Sequence, residues 1–132
     1  MVKKNKTPEL LFASYASATL EPKDSIGAKW LRLLDRLELG KAVAGKRTAI
    51  KMHLGGGSGF TTIHPFFTRK LVEKVKAAGA KEVFVTDSPG AVRSAVERGY
   101  TSETLSCALV SASGTADRYF YRRDMCACSN RG

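Results

Sequence analysis

Lys51, Met52, His53 and Leu54 run into Gly55, Gly56, Gly57, Ser58 and Gly59, and Phe60, Thr61, Thr62, Ile63, His64 and Pro65 follow. Glycines let backbone N–H groups approach an anion closely, threonine hydroxyls add donors, and a helix opening at Pro65 would present its positive end to the same place. The pattern predicts an anion cradle. It has neither the Gly-Lys-Ser/Thr ending of a Walker loop nor the G-x-G-x-x-G spacing of a dinucleotide fold, so no nucleotide class is assigned. A second cluster is Val85, Thr86, Asp87, Ser88, Pro89 and Gly90. Asp87 or Ser88 there either caps a following helix or faces the same crevice as the glycines, open to a metal, a ribose or a proton. Lys51 and His53 are two residues apart, which on an extended strand places a cation and a titratable ring on one face. The candidate ligand-binding residues are therefore Lys51, His53, Gly55, Gly56, Gly57, Gly59, Thr61, Thr62, Asp87 and Ser88.

Metal and nucleophile chemistry find less support. His53, His64 and Asp87 are ligand types, but their spacing matches no compact zinc or iron motif, and no metal is assigned. Cys107, Cys126 and Cys128 are odd in number, which argues against a disulfide framework, and three thiols fall short of the four that an iron–sulfur cluster usually takes. No cofactor is expected in this chain. There is no G-x-S-x-G elbow and no triad pattern. Lys51 or His53 as acid or base, with Asp87 as partner, is the enzymatic alternative, and no catalytic residue is assigned.

These residues need strand ends to hold them. Leu10, Leu11, Phe12, Ala13, Ser14 and Tyr15 form a short apolar run between Pro8 and Pro22 that predicts a buried strand. Ile26, Trp30, Leu33, Leu34 and Leu37 line one face of a helix over 25–38, stopped by Gly40. Residues 47–54 predict a strand. Pro65 opens a helix over 65–78 whose buried stripe is Phe67, Leu71, Val75 and Ala78. A strand over 82–87, a helix to Gly99 and a strand over 107–111 complete the order. The alternation predicts an α/β fold with a small, open, mainly parallel sheet and crossover helices, in which 47–54 and 82–87 are neighbours. Ligands of such sheets bind at the carboxyl ends of the strands, where both clusters lie.

The 132 residues suffice for one domain, and 43% hydrophobic with 26% charged residues is a globular composition. The division expected is a basic leader over 1–7, an α/β domain over 8–118 and a flexible, polar, basic tail over 119–132. Apolar stretches fall well short of a membrane span, and no signal core follows the leader, so no membrane partner and a cytoplasmic location are expected. Lys and Arg number 22 against 12 Asp and Glu, a formal charge of +10 that favours anionic partners. A small anionic ligand is the first reading. Nucleic acid is the second, supported by Tyr119, Phe120 and Tyr121 beside Arg122 and Arg123, since bases stack on such rings.

Residues 49–55, Thr61 to Pro65, the helix ending Ala77, Ala78, Gly79 and Ala80, and Val85 to Pro89 together resemble the N-terminal part of the domain of unknown function 362 family, over roughly residues 8–112. The resemblance implies an α/β domain coupled in longer members to a ferredoxin-like module with two four-iron, four-sulfur clusters, and a redox partner. It implies Lys51, His53, the glycines and Asp87 as the positions that match family motifs. This chain is much shorter than such members and lacks the ferredoxin-type cysteine run, so a truncated product, missing that module, is expected.

Overall fold

The computed structural model describes residues 9–56 and 61–114. The expected leader and tail, with Gly57 and Gly59, lie outside the described residues. Three strands, β1 (Arg47–Lys51), β2 (Glu82–Asp87) and β3 (Ala108–Ser111), form one open sheet in the order β1-β2-β3. Both pairings are parallel, with Ile50 opposite Val85 and Val85 opposite Leu109. The chain is therefore a small parallel α/β fold, with 47–51 and 82–87 as neighbours.

Among the described residues five α-helices accompany the sheet: α1 (Ile26–Asp35), α2 (Leu39–Val43), α3 (Pro65–Ala77), α4 (Pro89–Ala95) and α5 (Ser102–Leu105). Ser25 caps α1, its side chain accepting the Ala28 N–H at 3.2 Å. Pro65 begins α3, where its missing N–H costs nothing. α4 continues through a 3-10 turn, Val96–Arg98, into left-handed Gly99. Ile50, Leu54, Val72, Val75, Val83, Val85, Ala95, Tyr100 and Leu105 meet in the core. Each of the Val, Leu and Ile side chains among them contributes about 1.5–3 kcal/mol on burial.

Four expectations are corrected. The run 10–15 is not a strand, and among the described residues the sheet has three strands instead of four. The run lies along α1 with Leu10, Phe12 and Tyr15 exposed and only Leu11 and Ala13 half-buried, too little apolar cover for a buried strand, and it is held there by the Lys29 ammonium on the Ser14 carbonyl and, just past the run, the Ala16 carbonyl. The first helix ends at Asp35, and Gly40 sits inside α2 instead of stopping α1. β1 ends at Lys51, so His53 belongs to the loop beyond it. The buried stripe of α3 is Thr68, Val72 and Val75; Phe67 and Leu71 are half-buried, Phe67 packing edge-on against Trp30, whose indole N–H donates to the Phe67 carbonyl at 3.0 Å.

Candidate functional site

β1 and β2 end side by side, Lys51 opposite Thr86 and Asp87 one residue further. Asp87 is buried there, and both of its oxygens are engaged. Oδ2 accepts the Leu54 N–H at 2.9 Å; Oδ1 accepts the Ser88 N–H at 2.8 Å and lies 3.0 Å from the Lys51 ammonium. Burial by itself raises the pKa of the carboxyl, but the Leu54 N–H, Lys51 and the Ser88 N–H together outweigh it and hold Asp87 below its ordinary range. An ionised carboxylate with three partners orients its surroundings. It fastens the chain leaving β1 to the end of β2, and the β2 carbonyl at Asp87 accepts from Ala112 beyond β3 at 2.9 Å.

The opposite side of the same turn is held by a residue that the sequence reading did not single out. Arg98 donates from Nη2 to the Leu54 carbonyl and, at 3.0 Å, to Ser94 Oγ, and from Nη1 to the Gly56 carbonyl at 3.3 Å. Leu54 is thus gripped at its N–H by an anion and at its C=O by a cation. Gly55 lies between, buried, with φ +85°; a Cβ there would stand 2.9 Å from Thr62 Cγ2 and 3.1 Å from the Arg98 guanidinium. Left-handed backbone and close approach together require glycine. Gly56 is exposed with open space around it. The only sequence trace of Arg98 is its place just before Gly99, where a cation in a last helical turn reads as solvated.

The structure thus brings Lys51, Gly55, Thr62 and Asp87 to one corner. Lys51 remains largely exposed and also donates to the Met52 carbonyl at 2.8 Å. His53 is exposed on the loop. Ser88 is the first residue before α4, but its side chain makes no capping bond; its backbone N–H serves Asp87 instead. His64 is spent on α3, its Nδ1 accepting the Phe66 N–H at 3.2 Å. Behind the turn, Tyr100 is fully buried with its hydroxyl donating to the Ile63 carbonyl, and burial pushes its pKa up.

Among the described residues no three His, Cys, Asp or Glu side chains converge as metal ligands, and Cys107 is the only thiol; Cys126 and Cys128 lie outside them. Among the described residues, too, no helix is long and apolar enough to cross a membrane. A family model, described as a domain of unknown function (DUF362), matches residues 48–125, which takes in all three strands past the first residue of β1 and the whole corner. No curated protein and no solved structure matches the chain.

Proposed function

The chain belongs to the DUF362 family, and from that premise we propose that it binds a small phosphate- or carboxylate-bearing molecule at the corner where Lys51, the Gly55–Gly56 turn and Asp87 meet. The observation that carries the reading is the Arg98 guanidinium beneath the turn. Among the described residues no carboxylate forms an ion pair with it, and its buried Nε has no hydrogen-bond partner. Its other contacts are carbonyls and a hydroxyl, so its charge stands without a carboxylate partner, packed directly against Gly55 and next to the exposed Gly56. Asp87 offsets Lys51, leaving one net positive charge, and the carboxyl edge of a parallel sheet is where ligands of such folds bind. Asp87 and Ser88 shape the site, while Lys51, Arg98 and the backbone and hydroxyl donors of Gly55, Gly56, Thr61 and Thr62 face the anion. His53, Gly57 and Gly59 complete the proposed loop by sequence.

Titration calorimetry with phosphate, pyrophosphate and citrate, run beside a single-stranded oligonucleotide, tests this. One charge-assisted contact is worth about 1.5–3 kcal/mol, so Lys51→Ala and Arg98→Lys are each expected to weaken a small anion by roughly ten- to a hundredfold. Saturable binding of the oligonucleotide alone would assign the basic surface to nucleic acid, and binding of none of the four would end the proposal.

A further inference from the structure

A second feature lies along α1, where none of the corner residues reaches. Residues 9–17 run antiparallel to this helix: Glu9 pairs with Arg36 at 3.1 Å near its end, the Ser14 and Ala16 carbonyls accept from Lys29 about two turns earlier, and Ser17 Oγ donates to the Asp24 carbonyl at 2.9 Å. The run alternates as an extended chain does. Leu11 and Ala13 are half-buried against the helix, while Leu10 is 90% and Phe12 82% exposed. Along the run and α1 opens a groove of ≈ 730 Å³, lined by residues 10–13 on one side and Leu33 on the other and rimmed by Lys29, Arg32 and Arg36.

The charges of this rim are not balanced. Lys29 donates to carbonyls and Arg32 to the Lys23 carbonyl at 2.8 Å; among the described residues neither has a carboxylate partner. Only Arg36 has one, the exposed Glu9, and the other acid on the rim, Asp35, is taken by Lys74. Two exposed large apolar side chains on one face of the run, bordered by Lys29 and Arg32, which have no carboxylate partner among the described residues, have the make-up of a partner surface. We propose that this groove receives an acidic amphipathic segment of another protein, its apolar side chains on Leu10, Phe12 and Leu33 and its carboxylates on Lys29, Arg32 and Arg36.

Charge complementarity selects this occupant. A second copy of a chain with a formal charge of +10 would bring cations against cations. A bilayer is flat on this scale, whereas the groove is concave and suited to side chains that enter it. The probe is a fluorescein-labelled synthetic peptide alternating Glu with Leu and Phe, measured by anisotropy on the full chain; the same peptide with Lys for Glu is the control. Binding of the acidic peptide only is expected, weakened about tenfold or more by Phe12→Ser and by Arg32→Glu, and little by Lys81→Glu, which makes the same charge change outside the groove. All three side chains are exposed, and circular dichroism establishes that each variant folds. Equal binding of the two peptides, or equal weakening by Arg32→Glu and Lys81→Glu, would overturn the proposal. So would Phe12-dependent dimerisation in sedimentation, which assigns the groove to a second copy, or Phe12-dependent flotation with phosphatidylserine vesicles, which assigns it to a membrane.

Discussion

Replacing Asp87 by Asn keeps the shape of the side chain and removes what the corner uses. Asp87 accepts two backbone N–H groups, from Leu54 at 2.9 Å and Ser88 at 2.8 Å. The amide of Asn has one acceptor oxygen, so one of those N–H groups meets an NH₂ donor. Leu54 is fully buried, and an unsatisfied buried donor costs about 1–3 kcal/mol. The surviving bond also loses its charge assistance, which adds about 1 kcal/mol. The third partner contributes little: Lys51 is two-thirds exposed, and pairs of that kind are worth about 0–1 kcal/mol. Asp87→Asn is thus expected to destabilise by roughly 2–4 kcal/mol, a fall in Tm on the order of 10 °C, and Lys51→Ala by less than about 1 kcal/mol. Urea unfolding followed by the fluorescence of Trp30 separates the two. The sign with pH is fixed as well. The folded carboxyl titrates below its unfolded value, so its contribution is complete above the unfolded pKa and is lost as pH falls through the folded one. The gap between wild type and Asp87→Asn should therefore be constant at neutral pH and narrow below about pH 4. If Lys51→Ala were as costly as Asp87→Asn, or the gap widened in acid, the ion pair and not the buried N–H bonds would hold the corner, and the reasoning would fail.

Gly55→Ala should cost about 2–4 kcal/mol, from left-handed backbone and from contact with Thr62 and Arg98, whereas Gly56→Ala, with open space around it, should change stability by less than about 1 kcal/mol; thermal melts compare them. Tyr100→Phe removes the bond to the Ile63 carbonyl at a cost of about 1–2 kcal/mol. Because burial raises the Tyr100 pKa, the contribution of this phenol is complete below the unfolded value and lost as pH climbs through the folded one, so alkaline unfolding above about pH 10 should be shallower in the variant. Burial likewise pushes the Cys107 thiol up, so iodoacetamide at neutral pH, read by peptide mapping, should label Cys107 far more slowly in the folded chain than in urea.

Strands and helices with a full period were legible in the sequence. Residues 82–87 and the helix from Pro65 appear where their apolar pattern puts them, and Lys51 and Asp87 meet because parallel neighbours end at one edge. Shorter elements were not. α2 and α5 have five and four residues, less than the span over which a helical period shows; the capping pair Thr101 and Thr104 was the available sign of α5. The run 10–15 has the continuous apolar character of a buried strand, but a short apolar run does not say what packs on it, and its partner turned out to be the Lys29 side chain of a helix. Arg98 was invisible for a related reason: its role depends on the carbonyls of Leu54 and Gly56, more than forty positions away, and no local pattern encodes such a contact.

The proposed anion site is tested most directly by ¹H–¹⁵N correlation spectra of the full chain titrated with pyrophosphate. Arg98 Nε–H, the Gly55 and Gly56 amides and the Thr62 amide are expected to shift together along one saturable curve, and in Arg98→Lys the three amides are expected to stop responding while the rest of the spectrum stays folded. Shifts that grow linearly and scatter over the lysines of α3 and the groove along α1, with Gly55 and Arg98 unmoved, would contradict the account.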